Sequence, residues 1–131
     1  MDRYEGGCLC GKVRFAVTGV PQSVYYCHCF SCRRQGGAVV AVWAKFPVKD
    51  HFAWVADLPT AFHSSPGVTR RFCPHCGTPI SYESVNQPDL IDLHIGTFDE
   101  PERLAPQTHW FTGEKIAWFE TADDLPRHVD G

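Results

Sequence analysis

The stretch Gly6–Val17, GGCLCGKVRFAV, carries two signals at once. Its second half alternates. Val13, Phe15 and Val17 fall on one side of an extended chain, and Lys12 and Arg14 on the other. That is the pattern of a strand with one buried face. Its first half sets Cys8 and Cys10 one residue apart, and in an extended backbone such a pair projects from one face. Strands and clustered cysteines recur together along the chain. Their combination predicts a mainly β fold of short strands organised around cysteine sites.

Leu90–Ile95 (LIDLHI) alternates as well, with Ile91, Leu93 and Ile95 inward. Val39–Phe46 (VVAVWAKF) is apolar on both faces and reads as a central strand. Thr78–Glu83, Thr108–Thr112 and Ile116–Glu120 are further expected strands. Gly19–Pro21, Phe46–Pro47 and Ser65–Gly67 read as turns. Only Ser31–Gln35, closed by Gly36-Gly37, suggests a helical turn, with a second short turn at Ala122–Arg127.

With 131 residues, the chain has the size of one domain. Hydrophobic residues make up 44% and charged residues 21%, enough for a core without disulfide staples. The formal net charge of −3 argues against a nucleic-acid surface, which needs a basic stripe. Arg33-Arg34 and Arg70-Arg71 are the tight basic pairs, each beside a cysteine cluster. They read either as solvated surface or as charge that offsets metal-bound thiolate. No apolar run approaches the ~18 residues of a membrane span. The N-terminal residues lack the basic-then-apolar layout of a signal peptide. The expectation is a cytoplasmic protein with no membrane partner, in which clustered cysteines are metal ligands rather than disulfides.

The seven cysteines fall into three groups: Cys8 and Cys10; Cys27, Cys29 and Cys32; Cys73 and Cys76. Cys73–Gly77 (CPHCG) has zinc-knuckle form. Two intervening residues let a tight turn aim both sulfurs at one ion, and glycine ends the turn. Cys8 and Cys10 are a plausible second half of that site. Cys27, Cys29 and Cys32 are close enough to meet at one point, and three protein ligands leave a fourth position open. Spacing alone does not force this partition, since Cys8, Cys10, Cys27 and Cys29 also make a set of four. A redox dithiol at Cys73/Cys76 lacks the βαβ context such a motif expects. Seven ligands do not complete two four-cysteine iron–sulfur clusters.

A zinc ion with three thiolates keeps a negative formal charge. It is a poorer generator of hydroxide than a three-histidine zinc and better suited to a soft fourth ligand such as a substrate thiol. Sulfur transfer is therefore favoured over hydrolysis. His28, between two of these cysteines, is a candidate proton carrier, and Arg33 and Arg34 are candidates for binding an anionic substrate.

GGCLCGKVRF, CHCFSCRRQGG, RRFCPHCGTPISY and IGTFDEP occur in this order, followed by a late His-Trp and DDLPR. In these motifs the chain resembles the family of glutathione-dependent formaldehyde-activating enzymes and centromere protein V, over residues 4–127. The resemblance implies a small single-domain β-tent fold and two zinc ions per chain. It implies a structural zinc held by Cys8, Cys10, Cys73 and Cys76, and a catalytic zinc held by Cys27, Cys29 and Cys32. It further implies a carbon–sulfur lyase that forms or cleaves the thiol adduct of a small aldehyde such as formaldehyde. The expected partners are thus a small-molecule thiol and an aldehyde. The alternative is a non-enzymatic zinc-binding module serving protein interaction.

Overall fold

A computed structural model describes residues 1–131. The chain is mainly β, with one α-helix and three short 3-10 turns. β1 (Arg3–Gly7), β2 (Arg14–Thr18) and β5 (Phe52–Trp54) form a small antiparallel sheet in the order β1-β2-β5. The second sheet has seven strands: β3 (Ser23–Cys27), β4 (Ala41–Pro47), β6 (Thr60–Ser65), β7 (Val68–Phe72), β8 (Pro79–Ser84), β9 (Leu90–His94) and β10 (Thr108–Trp110). Their order is β10-β3-β4-β9-β8-β7-β6, antiparallel throughout except for the parallel β10–β3 pair. No helix is long and apolar enough to cross a membrane.

The core lies between the sheets. Val13, Phe15 and Val17 are fully buried, as their alternation predicts. They meet Ala44 and Phe46 of β4, Ile91 and Leu93 of β9, and Phe98 in one cluster. Phe15 and Phe98 pack edge-to-face, ring centroids 5.2 Å apart, a geometry that suits the aromatic quadrupole. The small sheet must approach closely here. A Cβ on Gly6 would lie 2.4 Å from the Thr97 carbonyl oxygen and 2.5 Å from Phe15 Cζ, so only glycine fits.

The other face of the seven-stranded sheet carries a smaller buried cluster, Trp43 and Ala41 with Cys27 and Cys32, set among polar groups. Strand register places Ser23 opposite Lys45, Tyr25 opposite Trp43, Lys45 opposite Asp92, Asp92 opposite Tyr82 and Tyr82 opposite Arg70. With a side-chain period of two, these polar and aromatic groups share this face in two adjacent rows.

Four sequence expectations change. Cys8–Cys10 lies in a turn after β1 rather than in a strand. Phe46 and Pro47 are the end of β4, and the turn comes after them. Ile116–Glu120 is not a strand: Phe119 N–H donates to the Ile116 carbonyl, and Lys115 Nζ donates to the carbonyls of Ile116 and Phe119, which closes a turn. Ala122–Arg127 does not form a helical turn. The Asp123 carboxylate takes the Leu125 N–H and the Arg127 guanidinium, and the segment runs on beside β10.

Candidate metal centres and a cavity over one of them

Strand ends deliver the cysteines. β1 ends just before Cys8, β7 ends just before Cys73, and β3 ends at Cys27. In the knuckle, Gly77 N–H donates to the Cys73 carbonyl, and Gly77 takes φ 80°, the left-handed turn ending that favours glycine. Thr78 joins the two halves. Its hydroxyl accepts the Leu9 N–H at 3.1 Å and lies 3.2 Å from Cys76 Sγ. This contact holds the Cys76 thiol down to about 5. Nothing in the spacing of the motifs announces Thr78; its role emerges only when the turns meet.

The sulfurs of Cys8, Cys10, Cys73 and Cys76 all lie within 4.8 Å of one another. Cys8 and Cys10 are 3.5 Å apart, and Cys10 and Cys73 3.8 Å. These distances are too long for disulfides. They match the edge of a tetrahedron with ~2.3 Å zinc–sulfur bonds, which is about 3.8 Å. Backbone N–H groups of Val13 and His75 point at Cys8 Sγ and Cys73 Sγ, each at 3.3 Å, as outer-shell support for thiolates. The site fits a closed four-thiolate metal ion.

Cys27, Cys29 and Cys32 form the second cluster, again with all sulfurs within 4.8 Å. The helix α1 (Phe30–Gly36) shapes it. Cys29 is its N-cap, and Cys29 Sγ accepts the Cys32 N–H at 3.3 Å. Gly37, at φ 64°, closes the helix through its N–H to the Arg33 carbonyl. Three sulfurs this close do not all ionise without a cation. The neighbouring Cys27 and Cys32 thiols favour ionisation at Cys29 and push its thiol down, while the Cys27 thiol is pushed far above its ordinary value. This donor set also fits a metal, with one ligand fewer.

The three-cysteine cluster forms the floor of a cavity of about 690 Å³. The cavity is walled by Tyr25, Trp43, Tyr82, Arg70 and Asp92 of the large sheet and by Phe111 just after β10, among others. Arg70 is the central cation. It is 4% exposed, both Nη atoms lie 3.8 Å from Cys32 Sγ, Nε donates to Ser64 Oγ at 3.2 Å, and its plane covers the Tyr82 ring. The sequence pairs Arg70 with nearby Cys73, but the fold gives it to Cys32. Its neighbour Arg71 is ion-paired with Glu83 at 2.7 Å.

Asp92 was not singled out in the sequence. The inward count on Leu90–Ile95 takes Ile91, Leu93 and Ile95 and leaves Asp92 on the opposite face. That face meets the cavity. Asp92 is 2% exposed and accepts the Tyr25 hydroxyl, and burial pushes its carboxyl up to about 6. A second cavity, about 490 Å³, also reaches Cys32 and contains His94. His94 stacks on Trp43 with centroids 3.8 Å apart, and burial lowers it to about 4.

The remaining sequence candidates lie elsewhere. His28 is 1% exposed and is not part of the cavity wall. Its Nε2 shares a 2.8 Å hydrogen bond with His109 Nδ1, and His109 Nε2 faces Asp123 at 3.2 Å. This chain of side chains ties the segment after β10 to the cysteine loop. Arg33 and Arg34 are also outside the cavity wall. Arg33 donates to the carbonyls of His28 and Glu114, and Arg34 lies over the exposed Phe30 ring.

A comparison with curated proteins gives no match. Among solved structures, the chain is similar to a crystal structure of a Rhodobacter sphaeroides protein. The TM-score is 0.61 and the identity 18%, over 94% of this chain and 98% of that one. At that identity the likeness concerns the fold alone. The family model described as glutathione-dependent formaldehyde-activating enzyme matches residues 3–114, a span that contains both cysteine clusters and the strands that present them. Two thiol clusters able to hold metal, one closed and one open to a cavity, thus sit in a chain that belongs to the glutathione-dependent formaldehyde-activating enzyme family.

Proposed function

We propose that the chain is a zinc-dependent enzyme of the carbon–sulfur lyase type that forms or cleaves the adduct of a small thiol and a small aldehyde such as formaldehyde. The observation that carries this reading is the contrast between the clusters. One has four sulfurs; the other has three, at the floor of a cavity. Cys8, Cys10, Cys73 and Cys76 would hold a structural zinc, and Cys27, Cys29 and Cys32 a reactive one. Zinc with three thiolates supplies a vacant position for a soft ligand and favours its deprotonated form.

The chain's own residues do the rest. The aromatic side chains of Trp43, Tyr82 and Phe111 offer the ligand an apolar wall. Arg70, against Cys32 Sγ, counters the negative charge that a fourth thiolate adds. Thiolate attack on an aldehyde carbon leaves an alkoxide that needs a proton. Asp92 is the buried carboxyl on the cavity and, with its acidity shifted to about 6, holds a proton in part of the population near neutral pH. His28 is turned toward His109, so the proton role passes from His28 to Asp92 in this reading.

The test is exchange spectroscopy of glutathione with formaldehyde. Zinc-loaded protein is expected to accelerate adduct exchange, and a folded Cys29→Ser variant is not. No acceleration by zinc-loaded protein would sink the proposal and leave the zinc module serving protein interaction as the better account.

A further inference from the structure

The sequence contains many lysines and arginines and offers no way to rank them as contacts for a substrate anion. The cavity ranks them. Only two cationic side chains are part of its wall, Arg70 and Lys45. Arg70 is engaged on three sides, by Cys32 Sγ, Ser64 Oγ and the Tyr82 ring. Lys45 is not. Its ammonium donates to one neutral partner, Gln87 Oε1 at 3.0 Å, and sits 5.7 Å from the Tyr25 ring centroid. It has no carboxylate within ion-pair distance. Asp92, its cross-strand neighbour, takes the Tyr25 hydroxyl instead. An ammonium has three donors, so Lys45 has hydrogen-bonding capacity left to offer a ligand. Gln22 and Ser23 share this end of the cavity with it.

We propose that Lys45, with Gln87 and Gln22 beside it, is the carboxylate-binding end of the cavity, and that it selects a peptide-sized thiol bearing an acid group remote from its sulfur. The inference rests on the reading that a thiol binds over Cys27, Cys29 and Cys32. Strand register sets the length. Lys45 lies opposite Ser23, and Cys27 is four residues further along β3, roughly 13 Å at about 3.3 Å per residue. A ligand that spans the two ends therefore needs several bonds between sulfur and carboxylate. The opposite end carries Glu114, whose carboxylate accepts the Phe30 N–H, and a second anion is disfavoured there.

The test is calorimetric thiol binding to the zinc-loaded protein, with glutathione, its diethyl ester and 2-mercaptoethanol as probes. Wild type is expected to bind glutathione at least tenfold more tightly than the ester. Lys45→Gln is expected to lose that tenfold preference while the ester and 2-mercaptoethanol bind as before, and Lys45→Arg is expected to retain most of it. Far-UV circular dichroism of both variants accompanies the titrations, because Lys45 lies in a central strand. If Lys45→Gln binds glutathione like wild type, or loses all three thiols equally, the assignment of Lys45 is overturned while thiol binding stands. If no thiol binds wild type, the function proposed above falls together with this one.

Discussion

Asp92 is a buried acid whose only direct hydrogen-bond partner is the Tyr25 hydroxyl, with Lys45 and Arg70 further off. Burial raises its carboxyl from the ordinary 3.8 to about 6 in the folded chain. The sign follows from which state binds the proton. Below 3.8 both states are protonated and there is no penalty. As pH rises through 6, the folded chain must bury a charge that the unfolded chain solvates, at a cost of roughly 3 kcal/mol. Asp92→Asn keeps an acceptor for Tyr25 and removes the charge. Its thermal midpoint is expected to exceed that of wild type at pH 8, with the difference shrinking to nothing near pH 4. A midpoint lowered equally at every pH would mean that the ionised carboxylate is fully compensated by the cations around it. The cysteines, by contrast, were readable at this scale because a ligand motif is local. Asp92 and Arg70 were not: their partners lie 67 and 38 residues away, and no short-range pattern encodes that.

At the scale of elements, alternation was the readable signal. β2 and β9 declare themselves by apolar alternation, and β4 by an unbroken apolar run. β5 has three residues and β6 is exposed along its whole length, so neither has a buried stripe to read. Ile116–Glu120 fails for the opposite reason: it has the composition of a strand and no neighbour to pair with. β1 depends on the small sheet's close approach. Gly6→Ala puts a methyl group against the Thr97 carbonyl and the Phe15 ring, neither of which is free to yield. The expected loss is about 3 kcal/mol, seen as a lower urea midpoint. Because Cys8 follows β1 directly, the same variant is expected to release metal from the four-cysteine site more readily in a chelator competition. Unchanged stability would mean that β1 can shift without disturbing the core.

Across the whole molecule, the proposed function gives one cluster the work of holding and the other that of reacting. The four-cysteine site ties the small sheet's first strand to β7 of the large sheet, whereas the three-cysteine site lies within one strand-to-helix connection. Stepwise chelation of the zinc-loaded protein should therefore proceed in two stages. The first metal is expected to leave from Cys27, Cys29 and Cys32 with little change in far-UV circular dichroism, and the second only as the fold is lost. Simultaneous release and unfolding would make both sites structural.

The tie between Cys10 and Cys73 also bears on how the chain finds its structure. These ligands are 63 residues apart, while Cys10 and Cys27 are separated by roughly a quarter of that length. Loop closure costs about 0.6 kcal/mol more for each doubling of length. Chain entropy alone thus favours the competing set Cys8, Cys10, Cys27 and Cys29, which is complete on a growing chain long before residue 73 is made. The native pairing must be selected by the sheets, through the register that carries Cys27 to one face and Cys73 to another. An ion captured early is a kinetic trap, and escape from it depends on thiolate exchange being faster than the docking of the last strands.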